Sequence, residues 1–144
     1  MVVVRQMQAE DVAAVADLTS QLGYPASESE IKRRFDFIKD RWDARLFVAQ
    51  HAERRVVGWI HVQATYLLEA DPRAEIWGLV VSEAVRGTGA GRALVEAAED
   101  WAGRLGLAVM AVKSNVVRER ARGFYEHLGY QVTKTQNAFR KRLS

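Results

Sequence analysis

The most constraining feature of this sequence is a glycine-rich segment between an apolar run and a long helical pattern. Glycine occupies positions 87, 89 and 91. The residues before it, 75–81, are mostly apolar and β-prone, as expected of a central strand. After it, apolar residues recur at helical spacing, at Leu94, Ala98, Trp101 and Leu105. A strand, a tight turn and a helix N-terminus therefore follow one another, which is typical of a mixed α/β fold.

This segment has the chemistry of an anion-binding turn. Backbone N–H groups at a helix N-terminus lack intrahelical partners, and the helix dipole makes that end electropositive. Glycines remove the Cβ atoms that would keep a phosphate away. Two nucleotide motifs do not fit, because Arg92 stands where the P-loop needs lysine and the dinucleotide fingerprint needs glycine or alanine. A plain strand-to-helix turn stays open as the alternative.

The remaining elements follow from periodicity and turn signals. Ser27 and Glu30 form a capping-box pair before a second helix, and Gly23 and Gly129 stand where helices should end. We predict further helices at 9–22 and 118–128. We predict strands at 2–5, 46–50, 54–66, 75–81, 108–112, 130–134 and 138–142, with a polar turn around Ala52 and Glu53 joining the second and third.

Composition narrows the function classes. The chain has 144 residues, a usual length for one domain, and we interpret residues 1–144 as a single domain. It has no cysteine, which excludes disulfides, thiolate zinc sites and a cysteine nucleophile. The net charge is only +3, and most arginines alternate with acids, so nucleic acid is not an expected partner. No apolar run approaches the ~20 residues of a membrane span, and no leader pattern is present, so we expect a cytoplasmic protein.

Two motifs in a fixed order carry a family resemblance. The first is Arg86-Gly87-Thr88-Gly89-Ala90-Gly91, directly after an apolar strand. The second runs from Ser114-Asn115 through the helical Phe124-Tyr125 to Leu128-Gly129-Tyr130. Both resemble the GNAT superfamily of N-acetyltransferases, whose pyrophosphate loop is Arg/Gln-x-x-Gly-x-Gly/Ala. The order of predicted elements is similar to that family over essentially the whole chain.

The resemblance implies a mixed, mostly antiparallel twisted sheet flanked by helices. Its splayed parallel pair, here 75–81 and 108–112, would hold acetyl-CoA as the acetyl donor, and no metal is expected. The backbone of Leu79, Val80 and Val81 would pair with the pantetheine arm. Asn115 would contact the pantetheine near the thioester. The backbone amides that would hold the pyrophosphate belong to Arg86, Gly87, Thr88, Gly89, Ala90 and Gly91.

The resemblance also assigns an acid. An alkyl amine arrives mostly protonated and must lose a proton before attack, while the departing thiolate gains from an acid donor. Tyr125 stands where the family places that acid. The alternative is a core tyrosine beside Phe124, with its hydroxyl satisfied locally.

The catalytic base has three candidates, which are two residues and water. Glu75 opens the central strand in an Ala-Glu-Ile context that resembles the histone-acetylating branch of the family, and we take it as the catalytic base. His61 lies on the preceding strand, on the same face as Trp59 and Gln63, and could relay the proton through water. Alternatively, Glu75 is a strand-end charge and His61 an ordinary polar-face residue.

The predicted reaction is direct transfer of an acetyl group from acetyl-CoA to a primary amine, within a ternary complex. The acceptor is a small-molecule or peptide amine. The oligomeric state is left open, with a homodimer as one alternative. Neither nucleic acid nor a membrane is an expected partner. We assign Tyr24 to the acceptor pocket and expect most of the other large aromatic residues, Trp42, Trp59, Tyr66 and Trp77, to pack in or near the core. The rival hypothesis is a non-catalytic acyl-CoA-binding regulatory protein.

Overall fold

A five-stranded sheet with the strand order β1-β2-β3-β4-β5 forms the centre of the fold. The computed structural model describes residues 1–51, 55–114 and 119–144. Two compact units make up the chain, Met1–Val112 and Lys113–Ser144, and the first contains the whole sheet. The predicted turn at Ala52 and Glu53 lies outside the described residues.

The strands and helices follow the predicted order as far as residue 127. The strands are β1 (Val2–Gln6), β2 (Ala44–His51), β3 (Val56–Thr65), β4 (Arg73–Val81) and β5 (Met110–Val112). The helices are α1 (Val12–Gln21), α2 (Glu28–Ile38), α3 (Ala90–Arg104) and α4 (Glu119–His127), with short 3₁₀ turns at Ala9–Asp11 and Glu83–Val85. The strand predicted at 108–112 is shorter than expected.

Local signals set the helix ends. The capping box forms as predicted: the N–H of Glu30 donates to Ser27 Oγ at 3.1 Å, and the N–H of Ser27 donates to Glu30 Oε1 at 3.0 Å. Gly23 follows α1 with φ +91°, and Gly129 follows α4 with φ +95°. Both glycines therefore adopt the left-handed conformation that commonly ends a helix.

The two faces of the sheet are covered by different helices. On one face α3 packs so closely that a Cβ at Gly58 would lie 3.1 Å from Leu94 Cδ1. On the other face Trp59 Nε1 donates a hydrogen bond to Thr19 Oγ1 of α1 at 3.1 Å. Alternate residues of β3 belong to these two faces. His61 and Gln63 consequently share the α1 side with Trp59.

The parallel pair β4 and β5 is joined along only three residues. Ala74 pairs with Met110, Glu75 with Ala111 and Ile76 with Val112. On the β3 side the register shifts, so that Trp77 of β4 is an extra residue between two paired positions. Such a bulge bends its strand. In the described residues no strand pairs with 77–81 on the β5 side, so the parallel pair is open there.

The second unit corrects two predictions. The closing strands predicted at 130–134 and 138–142 do not form: every residue from 130 to 144 lacks a strand assignment. The apolar residues that would have packed them stay exposed, Phe139 at 91%. A two-stranded hairpin without a third strand or a covering helix is marginal in water, and the connecting Thr-Gln-Asn offers no glycine for a tight turn.

Candidate cofactor and catalytic site

The glycine segment forms a turn that only glycine adopts readily. Gly87 has φ +85° and Gly89 has φ +91°, and Gly89 is the N-cap of α3. Thr88 stabilises the turn, because its N–H donates to the carbonyl oxygen of Val85 at 3.2 Å and its hydroxyl donates to the same oxygen. An ideal Cβ at Gly87 or Gly89 would meet no atom within 4 Å. Open space therefore lies over the backbone of both glycines.

The backbone donors of this turn are available. The first helical N–H with a partner is that of Ala93, which donates to the carbonyl of Gly89 at 2.9 Å. Within the described part of the chain, the N–H groups of Gly87, Gly89, Ala90 and Gly91 donate to no protein atom. With the positive end of the α3 dipole, these donors form a site suited to a phosphate or pyrophosphate.

The open edge of β4 leads to this turn. Leu79, Val80 and Val81 pair with β3 on one side, and no described strand pairs with them on the other. An unpaired strand edge offers N–H and C=O groups to an extended ligand with amides of its own. The pantetheine arm of CoA, which carries two amides, fits such an edge. Asn115, predicted beside the thioester, lies outside the described residues.

Glu75 is a buried carboxylate held on one side by a cation. Its residue exposure is 6%. Arg73, two residues earlier on the same face of β4, places Nε and Nη2 each 3.0 Å from Glu75 Oε1. Glu75 Oε2 has no hydrogen-bond partner among the described residues. A strand-end charge would be solvated, so its burial and pairing argue for a specific role.

His61 presents an unpaired nitrogen on the same sheet face. Its Nε2 is buried and has no hydrogen-bond partner among the described residues. Burial lowers the pKa of His61 below its usual 6.5, which favours the neutral ring. Gln63, on the same face, lies directly across from Glu75 in the β3–β4 register.

Tyr125 lies in the second unit, on α4. Its ring contacts Phe124 with centroids 5.1 Å apart and Tyr130 with centroids 5.7 Å apart, both edge to face. Burial raises the pKa of Tyr125 to about 12. The hydroxyl makes no hydrogen bond to the described residues, so the alternative of a locally satisfied core hydroxyl has no partner to support it.

The exposure of the large aromatic residues differs from the prediction. Trp42, Tyr66 and Trp77 were expected to pack, but their exposed fractions are 64%, 56% and 57%. Trp59 is half-buried, as expected. Tyr24 is exposed directly after α1, where its N–H donates to the carbonyl of Thr19 at 3.1 Å. The three outward-facing rings sit beside a bulge or a loop, where strand alternation does not predict the side-chain direction.

Sequence reasoning missed two partners of these groups. Arg73 could have been found, because residues two apart on a strand share a face and Arg73 precedes Glu75 by two. Thr19 could not, since it meets Trp59 only through the packing of α1 on the sheet. Among the described residues no cluster of three or more His, Asp or Glu side chains could hold a metal ion, and no helix is long and apolar enough to cross a membrane.

The mixed sheet, its opening beside the parallel pair and the glycine turn next to that opening fit the acyltransferase class. The chain belongs to the acetyltransferase (GNAT) family, whose sequence profile matches residues 12–130. It is an N-acetyltransferase by class, as the resemblance implied. The fold and family predictions are thus confirmed.

Individual relatives resemble the chain in sequence or in fold. The uncharacterized N-acetyltransferase YhfO of Bacillus subtilis (strain 168) is 29% identical over 132 residues, 89% of each chain. A transcriptional regulator from Bacillus halodurans C-125 is 25% identical with a TM-score of 0.87, covering 98% of this chain and 100% of that one. The aminoglycoside N-acetyltransferase AAC(6')-Iy, solved with CoA, shares the fold at 20% identity and a TM-score of 0.87, covering 99% and 95%.

Proposed function

We propose that this enzyme transfers the acetyl group of acetyl-CoA to a primary amine of a small molecule or peptide, by direct attack within a ternary complex. The observation that carries the proposal is the open edge of β4, which ends at a turn with four N–H groups that donate to no described residue. We also infer that both units act as one catalytic domain, because the family match at 12–130 runs through both.

The cofactor would bind along the first unit. Leu79, Val80 and Val81 would pair with the pantetheine amides, and the loop 86–91 would hold the pyrophosphate. CoA in the AAC(6')-Iy structure supports this choice of donor. Family resemblance adds Asn115 beside the thioester.

Starting from a protonated amine, the nitrogen gives up one proton before attack and a second as the amide forms, and the departing sulfur takes one up. The amine nitrogen attacks the thioester carbonyl carbon, and the carbon–sulfur bond then breaks to give the amide and the thiolate of CoA. Tyr125 would donate the proton that the sulfur takes up and would regain one from solvent. Its raised pKa supports this role in one respect, since the hydroxyl stays protonated throughout the neutral range.

We assign acceptance of the amine proton to Glu75. Support comes from its burial and from Oε2, which no described residue occupies, while Arg73 fixes the orientation of the carboxylate through Oε1. His61 is the competing candidate, because its buried Nε2 also has no partner among the described residues and burial favours its neutral form. A water chain is the third route.

Tyr24 would contribute to the acceptor site, from the exposed segment between α1 and α2. The AAC(6') neighbours are named for aminoglycosides, which supports a small-molecule amine as the acceptor class. The test is a panel of amines with detection of thiol release, run with acetyl-CoA in the presence and absence of each amine. Amine-dependent release is expected.

A second candidate function is a non-catalytic acyl-CoA-binding regulator. One observation favours it: the Bacillus halodurans relative is named a transcriptional regulator. The same panel separates the two candidates. A regulator would bind acetyl-CoA with no thiol release above the background hydrolysis rate for any amine.

A further inference from the structure

The last part of the second unit, residues 131–144, is exposed to solvent along its whole length. We call it the C-terminal segment. It includes three large apolar side chains, Val132, Phe139 and Leu143, with exposed fractions of 57%, 91% and 91%. Exposed apolar side chains grouped on one part of a protein mark an interaction surface.

The sequence of the C-terminal segment favours strands that the single chain does not form. The strands predicted at 130–134 and 138–142 lie almost entirely within it, and no strand is present there. Two strands alone are marginal in water, whereas three or more with an apolar face are stable. The segment therefore needs the edge of an existing sheet.

The first unit has a sheet edge of this kind. β5 is the last strand of the sheet, and among the described residues β4 is its only strand partner. The run 107–112 is apolar throughout, a pattern usual for strands inside a sheet. Val109 is nevertheless 55% exposed, and Met110–Val112 are only half-buried. The outer edge of β5, on the side away from β4, is thus an apolar edge on which another strand can pair.

The charges of the two units are opposite in sign. Residues 113–144 carry eight Lys or Arg and two Glu, a net charge of +6, and the C-terminal segment itself has no acidic residue. Residues 1–112 carry 13 Lys or Arg and 16 Asp or Glu, a net charge of −3. The segment of one molecule is therefore attracted to the first unit of another.

We propose that the C-terminal segment of each copy pairs with the outer edge of β5 of a second copy, which gives a homodimer with exchanged C-terminal strands. Exchange of an identical element closes with two-fold symmetry, because each copy gives and receives the same segment. The 14 residues given and the strand that receives them approach the ~20–30 residues a side of a standard interface.

A nucleic acid is the competing partner, because the basic residues of the segment also suit phosphates. Phosphate contacts need only the cations, however, and would leave Val132, Phe139 and Leu143 in water. Pairing with β5 of a second copy uses the apolar side chains as well as the charge. The observations thus favour a second copy of this chain.

The first experiment measures the mass of the full chain in solution by sedimentation equilibrium over a range of micromolar concentrations. A dimer is expected. Phe139→Ser should raise the dissociation constant about 10²-fold or more, because the ring is lost from both copies. Val132→Ser should raise it by a smaller factor, at least about tenfold. Both side chains are exposed in the single chain, so neither change removes a core contact of the monomer.

Two control variants match these changes in the first unit. Phe37→Ser removes a ring of α2 that is 71% exposed, and Val3→Ser removes a side chain of β1 with the same 57% exposure as Val132. Both should dimerise as the wild type does. A monomeric wild type, or a Phe139→Ser variant as dimeric as the wild type, would overturn the proposal. A monomer that binds short duplex DNA at low salt would assign the segment to nucleic acid instead.

The second experiment locates the contact by crosslinking, which is simple because the chain has no cysteine. Val109→Cys protein is mixed with affinity-tagged Thr133→Cys protein and treated with a short bismaleimide. A crosslink between the two proteins is expected. Val3→Cys, on the opposite edge strand β1, should give none with Thr133→Cys.

Two crosslinking results would contradict exchange. A dimer that gives no crosslink from Val109→Cys would use another surface. A crosslink formed within one molecule of a Val109→Cys, Thr133→Cys double variant, at monomer mass, would show that the segment pairs with its own β5. Neither experiment involves acetyl transfer, so the outcome is independent of the proposed function.

Discussion

Three side chains of the proposed reaction have different surroundings, and each suits a different proton role. The Glu75 carboxylate is buried and paired with Arg73 on one oxygen only. Burial lowers the pKa of His61, and its Nε2 has no partner among the described residues. Burial keeps the Tyr125 hydroxyl protonated. Shifts in pKa such as burial gives His61 and Tyr125 are concentrated at functional sites.

Replacing Tyr125 by Phe should lower the rate of transfer by about 10²–10⁴-fold, the range typical of general acid catalysis. The affinity for acetyl-CoA should change little, because only a hydroxyl is lost. Single-turnover measurements at saturating substrates would report the chemical step. Tyr130→Phe, which removes the hydroxyl of a ring that touches Tyr125, is the control. A decrease in rate of less than about threefold for Tyr125→Phe would show that Tyr125 contributes to packing and not to acid catalysis.

The base is tested by pH profiles at subsaturating amine. Glu75→Gln should move the rising limb upward, toward the amine's own pKa of about 10.4, while acetyl-CoA still binds. His61→Gln should leave the limb almost unchanged. Because burial lowers the pKa of His61, a limb due to His61 would fall below pH 6.5 and vanish in His61→Gln. Glu69→Gln, in an exposed loop, controls for the lost charge. A shift in His61→Gln alone would make the histidine the base, and no shift in either variant would leave deprotonation to water.

At the scale of elements, the site arises where regular pairing stops. Trp77 is an extra residue in β4 relative to β3. The last pair between β4 and β5 is Ile76 with Val112, directly before Trp77. From there to the glycine turn the strand pairs only with β3, so its open edge and the N-terminus of α3 are close in sequence. These two features are the parts of the proposed cofactor site.

Gly89→Val should abolish the stabilisation of the protein by acetyl-CoA. At about 100 times its Kd the ligand contributes ~2.7 kcal/mol, or roughly 5–10 °C in Tm. A valine side chain would fill the space that the phosphate needs and would be strained at φ +91°. Gly106→Val shares the strain at φ +81°, just beyond the other end of α3, and should keep the ligand-induced shift. A full shift in Gly89→Val would exclude this turn as the phosphate site.

Gly78→Ala tests the packing over the open part of β4. A Cβ at Gly78 would lie 2.8 Å from two ring atoms of Trp59, which is tied to α1 through Thr19. We expect a loss of about 1–3 kcal/mol in the free energy of unfolding, measured by urea titration. Gly103→Ala in α3, where a Cβ meets nothing within 4 Å, should instead stabilise the protein by about 0.5–1 kcal/mol. Equal effects of the two substitutions would show that the Trp59 ring moves away from the added Cβ without loss of stability.

For the whole molecule, local chemistry was predictable and long-range pairing was less so. The capping box at Ser27 and the glycine turn depend on neighbours in sequence, and both formed as predicted. The strands predicted at 130–134 and 138–142 depended on partners distant in sequence, and they did not form. The orphaned nitrogen of His61 follows from burial on a crowded sheet face, which no local pattern encodes.

The last prediction concerns the order of events in the complete enzyme. The chain has no cysteine to carry an acetyl group, which favours the proposed direct attack of the amine on the thioester. Direct attack requires both substrates to be bound together, and double-reciprocal plots at several fixed amine concentrations should then give intersecting lines. An acetyl-enzyme intermediate would instead give parallel lines and a thiol burst without amine. Mass spectrometry of the protein after incubation with acetyl-CoA alone should show no added acetyl group, and a stoichiometric adduct of that kind would contradict direct transfer.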